Sequence, residues 1–174
     1  TDPVSAHYKA QYLALIDRYP DDFANRYNYT KGIHGHITSQ AFIYNPALDS
    51  IALIHHKKLD IWIGCGGHVE PEDADLIATA AREGVEESGL TRLFLAHAVP
   101  IDLDIHGFPA RKDQPDHLHY DMRFLFTTDE TEFVLNEAEG TALKWALRAD
   151  LGQYMRHDLA NNRLLRYFAA PDFG

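Results

Sequence analysis

The chain has 174 residues, of which 45% are hydrophobic, and this length and composition fit one globular domain with a sizeable core. Its formal net charge is −10 and no basic stripe stands out, so a nucleic-acid polymer is not the expected partner. Cys65 is the only cysteine, which excludes an intrachain disulfide and favours a reducing, cytoplasmic location. Because no run of about 18 apolar residues exists, we expect no membrane span.

The first half of the chain predicts a helix followed by two strands. Apolar residues at helical spacing predict a helix over 6–18, which ends before Pro20, and the polar and aromatic residues 21–31 predict a loop. Residues 34–44 and 51–56 predict two strands joined by a turn at 45–50. Residues 65–67 predict a glycine-rich turn after a short apolar run.

The second half alternates helices and strands. Residues 74–88 predict a helix that Asp73 or Asp75 caps and Gly89 ends. Residues 93–105 and 117–127 predict long strands, and 141–147 a shorter one. Residues 158–169 predict a closing helix. Helices layered on a mixed sheet are therefore the expected architecture.

Three acidic residues of the helix at 74–88 carry the most informative spacing. Glu83 lies three and four positions before Glu86 and Glu87, so the three carboxylates share one helix face. Their repulsion costs about 0.2–0.5 kcal/mol per adjacent pair, and Arg82 offsets only part of it. A hard divalent ion such as Mg²⁺ would turn this repulsion into coordination, since it prefers oxygen ligands. A solvated acidic helix face is the alternative interpretation.

The other positions of this helix predict how it packs. Ile77, Ala81 and Val85 recur every four residues and predict a separate apolar face. Gly84, in the middle of the helix, costs about 0.5–1 kcal/mol relative to alanine, so we expect close contact with a neighbouring strand there.

These features resemble the Nudix box, G-x5-E-x7-R-E-U-x-E-E-x-G-U, in which U is an apolar residue. The matching residues are Gly67, Arg82, Glu83, Glu86, Glu87, Gly89 and Leu90. The gap from Gly67 to Arg82 is one residue longer than in the box, Asp73 stands where its first glutamate would be, and Gly84 occupies a position that is usually apolar. With the flanking strands and Trp62, the resemblance covers roughly residues 32–150.

The resemblance implies an α/β/α sandwich with a central mixed β-sheet. Residues 31–150 would form the Nudix domain, 1–30 an N-terminal helical extension, and 151–174 a C-terminal helix that packs on the same domain. Mg²⁺ or Mn²⁺ would be bound by Glu83, Glu86 and Glu87 with the backbone carbonyl of Gly66 or Gly67. The implied catalytic residues are Glu83, which would orient and deprotonate the attacking water, Glu86, and Arg82, which would hold the glutamates in place.

Histidine and aspartate alternate with apolar residues in the later strands. In a strand, such alternation points the polar side chains to one face. The sets that alternate in this way are His117, His119, Asp121 and Arg123, then Asp102, Asp104 and His106, and finally His34 and His36. If these strands are neighbours, their polar faces converge into a further metal site or a substrate-binding surface. An antiparallel sheet with one wet face is the alternative.

The expected substrate-binding residues come from these strands and the loop between them, and they are Arg111, His117, His119, Asp121 and Arg123. Arg111 and Lys112 would clamp a phosphate, although a solvated pair of side chains is the alternative. The resemblance makes Asp121 a candidate for an extra acid near the metals.

The implied function is a hydrolase that cleaves a diphosphate linkage in a nucleoside diphosphate linked to another moiety, by attack of water at phosphorus. Two alternatives remain open: a non-catalytic module that binds a nucleotide or metabolite, and an isoprenoid-diphosphate isomerase, for which Cys65 is the only candidate reactive cysteine. The expected partner is a small nucleotide-type diphosphate. A homodimer is also possible, and no pattern in the terminal helices decides it.

Overall fold

The computed structural model describes residues 3–111, 114–155, 159–170 and 173. Its helices and strands follow one another as α1 (Pro3–Arg18), β1 (Gly35–Asn45), β2 (Ser50–His56), β3 (Ile61–Ile63), β4 (Cys65–His68), α2 (Leu76–Ser88), β5 (Phe94–Leu95), β6 (Asp102–Phe108), β7 (His117–Thr127), β8 (Gly140–Leu147) and α3 (Leu159–Phe168). Two short 3₁₀ helices lie at Asn28–Lys31 and Arg148–Gln153. No helix in this part of the chain is long and apolar enough to cross a membrane.

The strands form one mixed sheet around a parallel central pair. β1 and β7 run parallel, from Gly35 opposite Leu118 to Tyr44 opposite Thr127. β2, β3 and β8 extend the sheet beyond β1, β4 pairs with part of β1, and β5 and β6 both pair with β7. All pairs other than β1 with β7 are antiparallel. The central pair therefore places residues about 80 positions apart in the sequence side by side.

Alternating residues of the central strands bury both faces of the sheet. Ala41 and Ile43 of β1 pack with Ala80 of α2, whereas Phe42 packs on the opposite face with Leu164 and Phe168 of α3. This alternation follows from the two-residue repeat of a strand. The predicted α/β/α sandwich is confirmed.

The N-terminal helix packs beside the same sheet. Tyr12 and Leu15 of α1 lie in a buried cluster with Ile33, Ile37 and Tyr120, and the Tyr12 hydroxyl donates to the Asp104 carbonyl at 2.9 Å. α1 therefore covers the end of the sheet at which β6 carries its aspartates. The division of the chain at residues 30 and 150 stays a prediction.

Two of the predicted elements were wrong in detail. Residues 93–105 are two separate strands, β5 and β6, because the chain bulges between them. Ala96 donates to Leu125 and Ile101 to Arg123, while Pro100 has no N–H with which to continue the ladder. Residues 65–67 belong to β4 and pair with β1 instead of forming a turn.

The predicted apolar face of α2 is confirmed at Ile77 and Ala81, which pack against the core, but not at Val85. Val85 is 36% exposed, and Gly84 is the residue that faces the sheet. A Cβ at Gly84 would lie 3.0 Å from Leu93 Cδ1 and 3.3 Å from Ala41 Cβ. The predicted close contact with a strand at Gly84 is thus confirmed, and the small residues at this face let α2 lie close to β1.

Candidate active site

Helix α2 is held at both ends by local interactions. The Asp75 carboxylate accepts from the Ala78 N–H at 2.8 Å, which makes Asp75 the N-cap, and Gly89 ends the helix with a left-handed φ of 72°. Of the two predicted candidates, Asp73 and Asp75, it is Asp75 that caps the helix. The orientation of the glutamate face is fixed by these caps and by the contact at Gly84.

Asp73 and Arg82 join the loop before α2 to the helix. Arg82 Nε and Nη2 donate to the Asp73 carboxylate at 3.0 and 2.9 Å, and Nη2 also donates to the His68 carbonyl at 2.8 Å. Asp73 accepts further hydrogen bonds from Glu70 N–H and the Thr79 hydroxyl. The hydrogen bonds from Arg82 lower the pKa of Asp73 to about 2. Asp73, which replaces the first glutamate of the box, thus anchors the helix.

The same guanidinium group also holds two of the three glutamates. Arg82 Nη1 donates to Glu83 Oε1 at 3.0 Å and to Glu86 Oε2 at 3.3 Å. The Glu83 side chain is only 15% exposed, and its burial raises the pKa of the carboxyl group. The Glu86 side chain is 53% exposed. Arg82 therefore holds a largely buried acid, Glu83, and an exposed acid, Glu86, beside the same cleft.

Glu87 is the most buried acid of the helix. It is 4% exposed, and its Oε2 accepts from the Gly66 N–H at 2.9 Å, beside the Cys65 thiol. Burial raises the pKa of Glu87 from its ordinary 4.5 to about 8. A positive charge would stabilise the ionised form of this carboxylate, and the guanidinium group of Arg82 is bonded to the other two glutamates.

The backbone of β4 lies directly against the glutamates. A Cβ at Gly67 would fall 2.5 Å from Glu83 Oε1, so a larger residue there would displace this carboxylate from its present position. Carboxylate and backbone carbonyl oxygens, both present here, are the ligand type that Mg²⁺ and Mn²⁺ prefer. The deep burial of Glu87, which a bound cation would allow to ionise, and the close approach of Glu83 to Gly67 therefore fit a divalent cation.

Replacing Gly67 with alanine is expected to displace Glu83 without unfolding the protein, because the blocking atom belongs to a movable side chain. We expect turnover to fall by about 10²-fold, the usual effect of misplacing a catalytic group by about 1 Å. Gly66→Ala is the matched comparison, because its Cβ would lie 2.7 Å from the Ser39 carbonyl and so push on the backbone of β1. Gly66→Ala should cost about 1–3 kcal/mol in urea unfolding. Full turnover of Gly67→Ala would contradict the placement of Glu83.

An open cleft of about 1490 Å³ runs along the glutamate helix. It brings together predicted site residues that are up to 56 positions apart in the sequence. Lining it on the helix side are Gly67, Arg82, Glu83, Glu86 and Glu87, and on the strand side Arg111, His117, His119, Asp121 and Arg123. Arg111 is exposed on the rim, and Lys112 lies outside the described residues.

Asp121 is positioned by side chains of β1 that the sequence analysis did not single out. The Thr38 hydroxyl donates to Asp121 Oδ1, and Gln40 Nε2 donates to Oδ2 at 3.0 Å. Asp121 is almost fully buried and borders the cleft. Thr38 and Gln40 alternate with His36 along β1, and this two-residue spacing was the signal that would have found them.

Arg123 is engaged in a buried network of aspartates. Its Nη1 donates to Asp102 at 2.9 Å and its Nη2 to Asp104 at 3.4 Å. Asp102 also accepts from Arg163 Nε of α3 at 2.7 Å. The predicted phosphate contact by Arg123 would compete with these ion pairs. The network ties α3 to β6 and β7 at the base of the cleft.

Five histidines from four strands lie close together, and we call them the histidine cluster. Neighbouring ring centroids lie between 4.7 and 5.8 Å apart. The cluster consists of His36, His68, His106, His117 and His119. The register of β1, β6 and β7 produces it, because His36 and His106 both stand opposite His119. The predicted convergence of the polar strand faces is confirmed by this pairing.

Burial keeps part of the histidine cluster uncharged. It lowers the pKa of His36 to about 3, of His68 to about 4 and of His119 to about 2, so these rings are neutral near pH 7. His34 was expected to share this face, and that expectation was wrong. It precedes β1 and is exposed, because the strand begins only at Gly35.

Cys65 is fully buried behind Glu87, and burial raises the pKa of its thiol well above the ordinary value. A buried thiol that stays protonated is a poor nucleophile. The geometry therefore gives no support to the isomerase alternative, which requires a reactive cysteine.

A curled mixed sheet between helices, with an acidic helix facing a cleft, is the architecture of Nudix domains. The family model described as "NUDIX domain" matches residues 36–168, and the chain belongs to this family. A hydrolase of the NUDIX family from Clostridium perfringens is 26% identical, with a TM-score of 0.58 over 75% of this chain and 92% of that one. No curated protein sequence matches the chain.

More distant structures share the fold. A MutT NUDIX hydrolase from Burkholderia pseudomallei is 22% identical, with a TM-score of 0.57 over 75% of this chain and 95% of that one. The NUDIX domain of Shewanella oneidensis NrtR, complexed with ADP ribose, is 17% identical, with a TM-score of 0.57 over 91% of this chain and 94% of that one.

Proposed function

We propose that the protein is a metal-dependent hydrolase that cleaves a diphosphate linkage in a nucleoside diphosphate linked to another moiety. The observation that carries the proposal is the convergence of Glu83, Glu86 and Glu87 on a cleft beside the Gly66–Gly67 backbone. Membership of the NUDIX family supports it, since hydrolases of this family generally need divalent ions. The ADP ribose bound to the NrtR domain is an example of the proposed substrate class.

Glu83, Glu86, Glu87 and the Gly67 carbonyl are the proposed ligands of Mg²⁺ or Mn²⁺. When bound, such an ion neutralises the diphosphate and lowers the pKa of a coordinated water. The glutamates and the histidines line the same cleft, which has room for the phosphates. Arg111, His117 and His119 are the proposed substrate contacts.

Glu83 is the proposed base that accepts the proton of the attacking water. Its burial raises its pKa, which makes the carboxylate a better proton acceptor near neutral pH. Arg82 holds Glu83 and Glu86 in orientation and is itself fixed by Asp73. Asp121, held by Thr38 and Gln40, is the proposed extra acid across the cleft. Arg123 would hold the aspartates of the cleft floor in place.

The test is hydrolysis of a panel of nucleotide-linked diphosphates, including ADP ribose and a dinucleoside tetraphosphate, with Mg²⁺ or Mn²⁺. We expect release of a nucleoside monophosphate, with oxygen from labelled water appearing in a phosphate product. Glu86→Gln should lower turnover by at least about 10²-fold, whereas Glu132→Gln, exposed and outside the cleft, should not. Tight binding of these compounds without turnover would instead support a non-catalytic nucleotide-binding module.

A further inference from the structure

The histidine cluster contains three rings that are placed to share one ion. His36 of β1 stands opposite His119 of β7, and His117 is two residues away on the same face. Their ring centroids lie 4.7 to 5.2 Å apart, and one ring nitrogen of each lies within 4.8 Å of the others. A tetrahedral ion with Zn–N bonds of about 2.0–2.1 Å needs nitrogens about 3.3 Å apart, so modest rotation of the rings closes the site.

The hydrogen bonds of His117 decide which of its ring nitrogens could bind an ion. Its Nδ1 lies 2.9 Å from the Pro115 carbonyl oxygen, which can only accept, so Nδ1 carries the proton. Nε2 of His117 is then unprotonated and accepts from His119 Nε2 at 3.1 Å, so a bound ion would take the place of that proton. A backbone carbonyl that holds one imidazole nitrogen while the other faces a ligand is the usual arrangement of a metal-binding histidine.

An unsatisfied atom points to a ligand at the same place. His36 is 1% exposed, and its Nε2 is fully buried with no hydrogen-bond partner among the described residues. Leaving such a group unpaired is unfavourable, so a buried nitrogen without a partner calls for an explanation. Coordination of an ion between His36, His117 and His119 would satisfy it.

We propose that His36, His117 and His119 form a second cation site, separate from the glutamates, which binds a divalent transition metal such as Zn²⁺. Imidazole nitrogen suits Zn²⁺ and its neighbours, whereas Mg²⁺ prefers oxygen. His117 and His119 also border the cleft, so the ion keeps an open position there for water or a phosphate oxygen. This site does not depend on the proposed hydrolysis.

A second set of ligand atoms in the cluster, from His106, His119 and Asp121, is the natural competitor. Two of its ligand atoms are held by other side chains. His106 Nδ1, 3.5 Å from Asp121 Oδ2, also lies 3.2 Å from Asp104 Oδ2, and Asp121 accepts from Thr38 and Gln40. His106 therefore supplies a matched control, a histidine of the same cluster that is not a ligand of the proposed site.

The test is the metal content of the full chain after removal of metal by a chelator, incubation with Zn²⁺ in excess Mg²⁺, and dialysis. The wild type, His106→Gln and Glu87→Gln should each retain one zinc ion. His117→Gln and His36→Gln should bind it at least about 100-fold more weakly, since loss of a hydrogen bond to a ligand alone costs 10–100-fold. Because His36 is buried, circular dichroism is used to check that His36→Gln still folds. If it does not, the zinc content of His117→Gln decides the test, since His117 is only half-buried.

Three results would overturn the site: no zinc retained by the wild type, undiminished zinc in His117→Gln, or loss of zinc in Glu87→Gln or His106→Gln. Loss in Glu87→Gln would mean that zinc occupies the glutamates. Failure of this test leaves the hydrolysis assay unaffected, because that assay uses Mg²⁺ or Mn²⁺ and the Glu86→Gln variant.

Discussion

Replacing Glu87 with glutamine is expected to remove most turnover and, at the same time, to stabilise the metal-free protein. Glutamine keeps an oxygen that can accept from the Gly66 N–H, so the hydrogen bond at 2.9 Å can persist. Because the glutamine side chain carries no charge, it binds a divalent ion only weakly, and it also costs less to bury than an ionised carboxylate. We expect turnover to fall by at least about 10²–10³-fold, since metal coordination supplies several kcal/mol of transition-state stabilisation.

The stability effect has a defined pH dependence. The folded-state pKa of Glu87, about 8, is above its ordinary 4.5, so the folded protein holds a proton that the unfolded chain has lost. The contribution of Glu87 is therefore most favourable below pH 4.5 and is lost as the pH rises through 8. At pH 8 without metal, Glu87→Gln should be more stable than the wild type by roughly 2–4 kcal/mol, and at pH 4.5 the two should be similar.

Urea unfolding in chelator at several pH values measures this difference, and saturating Mn²⁺ should reverse it by stabilising only the wild type. Glu86→Gln is the matched control, because the exposed Glu86 should lose turnover without the pH-dependent gain in stability. A Glu87→Gln variant that is less stable than the wild type at pH 8 in chelator would contradict the claim that the buried Glu87 carboxylate destabilises the metal-free fold.

Replacing Arg82 with alanine is expected to destabilise the fold and to lower turnover together. Its guanidinium group joins Asp73, Glu83, Glu86 and the His68 carbonyl, so removal leaves two poorly solvated carboxylates without their partner. We expect a loss of about 2–4 kcal/mol in urea unfolding, the usual range when one member of a buried ion pair is removed. Turnover should fall by about 10²-fold because Glu83 loses its orientation.

Two comparison variants separate the geometry of Arg82 from its charge. Arg82→Lys keeps the charge but lacks the planar fork, so it should restore only part of the stability and turnover. Arg92→Ala removes an exposed arginine paired with Asp129 on the surface, and it should change stability by less than about 1 kcal/mol. Equal effects of Arg82→Ala and Arg92→Ala would contradict the anchoring role of Arg82.

Local sequence signals were sufficient to predict the glutamate side of the cleft. The spacing of Glu83, Glu86 and Glu87, the N-cap at Asp75 and the left-handed Gly89 all act within one helix, so they can be inferred without tertiary structure. The extra residue between Gly67 and Arg82 does not disturb the helix, because the Asp73 carboxylate reaches the guanidinium group directly.

The strand side depended on long-range register, which the sequence does not specify by itself. Alternation predicted that His119 and Asp121 share a face, but only the parallel pairing with β1 brings His36 and Thr38 beside them. The same limit applies to Arg123, whose partners Asp102 and Asp104 lie on β6 and could not be identified without the strand register. The prediction of a single strand over 93–105 was wrong because the strand is interrupted before Asp102. Pro100 is the sequence signal for this break, since proline has no N–H to donate to the neighbouring strand.

A crystal grown or soaked with Mn²⁺ and measured at its absorption edge tests the central claim most directly. The account predicts an anomalous peak among the carboxylates of Glu83, Glu86 and Glu87 beside the Gly67 backbone, and no such peak in Glu87→Gln crystals. A protein that binds Mn²⁺ at millimolar concentration elsewhere, with these carboxylates left uncoordinated, would contradict it.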